Sequence, residues 1–283
     1  MKSSTLRTLR IAILSSILIL TVQMIATAFA SDIDSKFVYK TEIRGAIQPS
    51  TASHLERMIN DAEASTKVSA ILIELNTPGG MLEPTREIVS DILSSEVPVI
   101  TFVSPSGARA GSAGTFIMAA SHIAAMAPTT NIGAATPVGA SGEELGETIK
   151  NKVSQDATAL LRSISEQRDR PSQELELTVT EARSYTSSEA MELGIIDIVS
   201  KNHTSLLEEI DGFTVSTPSG NLTMDTADVE IQIFKRTMLE KFLDAVGDPN
   251  ITFVLLTIGS IALTLEFIQP GICLLYTSDA ADE

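Results

Sequence analysis

Apolar residues along this chain fall into short runs separated by amphipathic stretches, and that succession sets the expected fold. Phe37 to Ile47 reads as a first strand. Ser50 can cap the helix after it, whose apolar positions Leu55, Met58, Ile59 and Ala62 share one face. Val68 to Leu75 is almost continuously apolar, as in a strand buried on both faces. A helix from Pro84 to Ser95 turns Ile88, Val89 and Ile92 inward, and a strand from Val97 to Val103 follows. A short helix through Ala119 then leads to a strand from Ile123 to Ala127. Strand and helix in alternation predict a parallel sheet with crossover helices, whose sites form outside the carboxyl ends of the strands.

Beyond this unit the pattern weakens and then changes character. Residues 128–146, rich in Gly, Ala, Thr and Pro, read as a long loop. A helix from Glu147 to Gln167 carries Ile149, Val153, Leu160, Leu161 and Ile164 as its apolar positions. Thr186-Ser-Ser-Glu189 is a capping box that opens a short helix ended by Gly194, and Ile195 to Val199 is a strand. Residues 201–234 suggest an edge strand or hairpin, and 235–250 a linker helix. Ile251 to Leu265 carries no charge, and the apolar run continues through Phe267. We read 251–272 as a first transmembrane helix rather than a buried one, with Glu266 turned toward other helices because a carboxylate in lipid is costly.

The ends change the picture further. Lys2, Arg7 and Arg10 precede an apolar stretch from Ile11 to Ala26, and Ala28-Phe-Ala30 is a small-residue cleavage site. Residues 1–30 are therefore expected to be a signal peptide that places residues 31–234, the main domain, outside the cytoplasmic membrane. Residues 273–283 break off the membrane pattern and can be back-translated onto a sequencing-adapter end, so they are expected to be read-through. Cys273, the sole cysteine, lies there, so no internal disulfide is expected. The net charge is −16, and because the charges of the two ends cancel, the body is equally acidic. So acidic a body argues against nucleic-acid partners and against electrostatic docking on anionic lipid. His54, His122 and His203 are far apart and lack metal-ligand spacing.

Two turns of small residues carry the candidate chemistry. Ser112 sits in Pro105-Ser-Gly-Ala-Arg-Ala-Gly-Ser-Ala-Gly-Thr115, after a strand and opening a helix, which exposes its hydroxyl at a sheet end. Thr77-Pro-Gly-Gly80 also follows a strand and can offer bare backbone N–H groups. A serine nucleophile needs a base. None of the three histidines can be tied to Ser112 by spacing. Lys150 and Lys152 both lie at the start of the helix after the long loop, and spacing alone does not choose between them.

These runs, with Ala125-Met-Ala-Pro-Thr-Thr-Asn-Ile-Gly-Ala134, Leu193-Gly-Ile-Ile-Asp197 and Asp248-Pro-Asn250, resemble the membrane-bound ClpP-class serine proteases of the NfeD family, the stomatin-operon partners. The resemblance covers residues 37–272 and implies a ClpP/crotonase-like α/β fold followed by a C-terminal transmembrane segment. It implies a Ser–Lys dyad in which the serine matches Ser112 and the lysine matches Lys152 rather than Lys150. Backbone N–H groups of Gly80 and Ala113 would form the oxyanion hole. No cofactor, a homodimeric soluble domain, and a stomatin-like membrane protein cleaved in an apolar segment are further expectations. Two positions depart from the family: Gly111 stands where alanine is usual, and Thr136 where a larger basic or imidazole residue is common. A signal peptide peptidase is disfavoured by the terminal apolar helix, and a crotonase by export. A catalytically silent scaffold for a stomatin-like protein is disfavoured by the intact serine, lysine and glycine turn.

Overall fold

The computed structural model describes residues 36–139 and 146–268. The expected signal peptide, residues 140–145 and everything from residue 269 lie outside the described residues. Among the described residues the strands are β1 Phe37–Arg44, β2 Val68–Asn76, β3 Val99–Val103, β4 Arg109–Gly111, β5 Ile123–Met126, β6 Asn131–Gly133, β7 Ser184–Thr186, β8 Ile198–Val199, β9 Thr214–Thr217, β10 Gly220–Thr223 and β11 Glu230–Ile233. The helices are α1 Pro49–Glu63, α2 Leu82–Ser94, α3 Ala113–Ala120, α4 Glu147–Arg168, α5 Ser172–Thr180, α6 Ser187–Glu192, α7 His203–Glu209, α8 Met238–Gly247 and α9 Pro249–Ile268.

The main sheet has six strands in the order β11–β1–β2–β3–β5–β8, every neighbouring pair parallel. Its central strands β2, β3 and β5 are buried on both faces, and their side chains alternate between two cores. Ile71, Ile73 and Leu75 of β2 face the core made with α1 to α6. Ala70 and Leu72 of β2, with Ile100 and Phe102 of β3, face a second core closed by Leu206, Leu207 and Ile210 around α7 and by Val215 of the β9–β10 hairpin. Each such large apolar side chain contributes about 1.5–3 kcal/mol when buried. A three-stranded sheet of β4, β6 and β7 lies beyond the carboxyl ends of the main strands.

Several expectations are corrected. The first strand ends at Arg44, and Ile47 instead forms an isolated bridge to Gly80. Helix α1 is capped at Gln48 rather than Ser50, because Pro49 fills the first helical position, where a missing N–H costs nothing. The loop 128–146 contains β6, and residues 201–234 hold helix α7 as well as the expected hairpin and edge strand. Ile149 is 57% exposed, since the first turns of α4 extend past the core. The Thr186–Glu189 capping box is formed as expected. Helix α9 contains Ile251–Ile268, long and apolar enough to cross a membrane, with none of that window buried in the domain.

Behind the site, the Asp197 motif has a structural role. Arg170, almost fully buried, donates to the carbonyls of Ala119 (3.1 Å), Ser121 (3.2 Å) and Ile195 (3.0 Å) and to Asp197 Oδ2 (2.9 Å). The same carboxylate oxygen accepts the Ala124 N–H at 2.7 Å. This fixes the end of α3 against β5.

Candidate active site

Ser112 is the N-cap of α3 and adopts φ 48°, ψ −110°. Such a backbone costs a non-glycine residue about 1–3 kcal/mol and persists only where its neighbours impose it. Here the Ser112 N–H donates to Gly133 O at 2.9 Å, and the Thr115 N–H donates to Ser112 O at 2.9 Å. The Thr115 hydroxyl lies 3.3 Å from both Ala110 O and Gly133 O. Gly114 is required next to it, because a Cβ there would stand 2.8 Å from Thr77 Cγ2.

The second turn leaves the carboxyl end of β2. Thr77 Oγ1 accepts the Gly79 N–H and donates to Gly79 O, both at 3.0 Å. The two turns are joined by backbone bonds: the Thr77 N–H to Arg109 O (2.8 Å) and the Gly111 N–H to Thr77 O (3.0 Å). Ile47 clamps the far side, donating to Gly79 O and accepting from the Met81 N–H, both at 2.9 Å. Gly79, at φ +123°, therefore backs directly onto the serine: a Cβ on it would lie 2.6 Å from Ser112 Cβ and 3.2 Å from Oγ. A Cβ on Gly80 would lie 2.2 Å from Ile47 O. Glycine at both positions is a steric requirement of this contact.

Among the described residues the Gly80 and Ala113 N–H groups donate to no protein acceptor, and the Ser112 hydroxyl makes no hydrogen bond. Ala113 opens α3, where unpaired N–H groups and the helix dipole favour negative charge. A free hydroxyl beside two free amides can attack a carbonyl and hold the resulting oxyanion.

The lysines are placed differently. Lys150 and Lys152 are exposed in the first turns of α4, and among the described residues neither side chain makes a hydrogen bond or ion pair. Ser112, Gly80 and Ala113 are thus brought together, and no hydrogen bond joins Lys152 to them.

All three histidines are engaged elsewhere. His122 Nδ1 accepts the Val99 N–H at 3.1 Å, and burial, then the charges of Arg168 and Arg170, push its pKa down to about 3. His54 is buried between Thr41 and Glu240, and its pKa is lowered chiefly by burial. His203 Nδ1 lies 2.8 Å from Glu74 Oε1. Among the described residues no cluster of His, Cys, Asp or Glu is placed to hold a metal ion.

Four positioning residues were not singled out in the sequence: Ile47, Thr77, Thr115 and Gly133. Thr77 carried a signal, since a threonine before Pro-Gly-Gly can close a side-chain turn. The departures are accommodated: a Cβ at Gly111 would crowd Pro78 O at 3.0 Å, and the Thr136 hydroxyl donates to Val179 O at 2.7 Å.

Comparison with known proteins identifies relatives of this chain. The model of the NfeD1b N-terminal domain family matches residues 37–214. The membrane-bound protease PH1510 of Pyrococcus horikoshii is 34% identical over 238 residues, 83% of this chain and 54% of that protein. Membrane protein NfeD1b of Bacillus subtilis is 26% identical over 251 residues, 84% of this chain and 53% of that protein. The chain spans about half the length of the curated relatives it matches. Among solved structures, the 1510-N membrane-bound stomatin-specific protease in a lysine-to-alanine variant with a substrate peptide is 32% identical, with TM-score 0.69, covering 76% of this chain and 100% of that one. Its serine-to-alanine variant is 32% identical, with TM-score 0.66, covering 72% and 99%. With its family model matched over more than half its length and its fold shared with the 1510-N protease, the chain belongs to the NfeD1b N-terminal domain family.

Proposed function

We propose that this protein is a membrane-anchored serine endopeptidase in which Ser112 is the nucleophile and Lys152 its base. The observation that carries the reading is the Gly79–Ser112 contact, which sets a strained, unbonded serine hydroxyl beside the free N–H groups of Gly80 and Ala113. In this mechanism a neutral Lys152 amine takes the Ser112 proton as Oγ attacks a peptide carbonyl. The Gly80 and Ala113 amides hold the oxyanion, Lys152 returns the proton to the leaving amine, and water then releases the acyl group. Lys152 is solvated in the free protein, so the mechanism needs peptide in the cleft to bring the amine to Ser112 and exclude water from it.

The relatives support the assignment. The serine and lysine replaced in the two 1510-N structures stand one residue further apart than Ser112 and Lys152 do here. Because 1510-N is a stomatin-specific protease, the substrate we propose is an apolar segment of a stomatin-like membrane protein, cleaved by a homodimeric domain. We take residues 1–30 as the signal peptide, 31–234 as the protease domain, 235–250 as the linker helix, 251–272 as the membrane span and 273–283 as read-through. The domain then works on the extracytoplasmic side. The test is hydrolysis of apolar peptides by the full chain and by Ser112→Ala, Lys152→Ala and Lys150→Ala variants. Loss with the first two and retention with the third is expected. Undiminished cleavage by Ser112→Ala or Lys152→Ala would reject the dyad.

A further inference from the structure

Among the described residues, helix α8 is held to the domain through its polar face. Glu240 is buried and accepts from Arg57 Nε (2.9 Å), Arg57 Nη2 (3.0 Å) and the Thr237 N–H (2.8 Å), and it lies 3.1 Å from His54 Nδ1. Asp244 bonds Ser50 Oγ and Arg236. Gln48 Nε2 donates to Gly247 O at 3.2 Å. On the opposite side Met238, Leu239, Phe242, Leu243 and Val246 are exposed, Met238 by 81% and Phe242 by 63%. At ~100° per residue they form one apolar arc of about 140°. Helix α1 grips the polar side with charged and polar groups, so the apolar side is held outward.

The position of α8 says what covers that side. Asp248 alone separates α8 from α9. Ten residues rising 1.5 Å each keep all of α8 within about 15 Å of the start of α9. Exposed Lys241 lies beyond one edge of the apolar arc, and exposed Lys235 stands just before the helix. An exposed apolar arc on a helix that leads directly into a membrane-length apolar helix fits a helix lying in a bilayer surface. The membrane-side end of α8 also coincides with the edge that carries the site. Gln48, bonded to Gly247, directly follows Ile47, which bridges Gly80.

We propose that α8 is an interfacial helix, its apolar face seated at the boundary of headgroups and acyl chains, so that the Ser112 cleft opens beside the membrane surface toward segments leaving the bilayer. The proposal rests on reading α9 as a membrane span. The chain has no tryptophan, so single tryptophans report position cleanly. Full-length Phe242→Trp, Leu256→Trp and Lys67→Trp variants are reconstituted in phosphatidylcholine–phosphatidylglycerol vesicles containing acyl-brominated lipid. Lys67 is exposed at the opposite end of α1.

Deep quenching is expected at Leu256→Trp. Phe242→Trp should show blue-shifted emission, quenched best by bromines near the headgroup end. Lys67→Trp should emit as in water, without quenching. With Leu256→Trp quenched, water-like emission at Phe242→Trp would overturn the proposal. So would blue-shifted emission that bromolipid leaves untouched, which marks a second copy of the chain on that face. An unquenched Leu256→Trp would instead reject the span itself, and the interfacial helix with it.

Discussion

Replacing Gly79 with alanine tests whether the two turns meet as described. The new Cβ would stand 2.6 Å from Ser112 Cβ, where carbon atoms normally keep about 3.5–4.0 Å, so a gap of about 1 Å must open. Ser112 cannot easily retreat, because its N–H is bonded to Gly133 O and the helix behind it is buried. Two costs add: about 1–3 kcal/mol for an alanine at φ +123°, and about 1–3 kcal/mol for overpacking. At roughly 2–4 °C per kcal/mol, the melting temperature should fall by about 4–24 °C. Moving the proposed nucleophile by about 1 Å should lower kcat/KM on an apolar peptide by about 10²-fold in the molecules that remain folded. Gly45→Ala is the matched control, since Gly45 has φ +94° and nothing within 4 Å of its added Cβ. It carries the backbone cost alone and should melt a few degrees lower with unchanged kcat/KM. Equal loss of activity in both variants, or none in Gly79→Ala, would refute the contact.

Three further outcomes are expected. Arg170→Ala leaves three interior carbonyls without their donor and takes the partner from the more exposed Asp197, and should cost about 2–4 kcal/mol in denaturant unfolding. His122 stays neutral when folded, down to a pKa of about 3, while the unfolded imidazole takes a proton below about 6.5. Stability should therefore fall as pH drops from about 6.5 toward 3, and unfolding curves of His122→Gln should lose much of that slope. Burial alone would raise Glu240, but hydrogen bonds from Arg57, Thr237 and His54 hold it at about 2. The stability that its carboxylate gives α8 is complete above about pH 4.5 and is lost toward pH 2, so amide exchange in α8 should speed up over that window.

The residues differ in how far they announced their places. Val68–Asn76 and Val99–Val103 were legible because continuous apolar runs of strand length have nowhere to go but between two layers. Thr186 and Gly194 were legible because helix ends have their own chemistry. Strands β4, β6 and β7 were not, since three residues of Arg-Ala-Gly or Asn-Ile-Gly show no period, and only tertiary pairing makes them strands. Helix α5 was missed because Leu175 and Val179 are too few to stand out among its polar neighbours. At the site, Ser112 and the glycine turn could each be found as small-residue runs at strand ends. That Gly79 abuts Ser112, and that Gly133 and Ile47 hold the pair, depends on distance across the sheet edge, which spacing along the chain does not encode.

The central claim is that Ser112 is a nucleophile activated by Lys152. Intact mass and peptide mapping after exposure to a serine-reactive phosphonate probe address it directly. The account predicts one adduct, on Ser112, forming faster as pH rises in the wild-type chain, and slowed by at least about 10²-fold in Lys152→Ala but not in Lys150→Ala. An adduct on another residue, or labelling of Ser112 at the same rate and with the same pH dependence without Lys152, would contradict it.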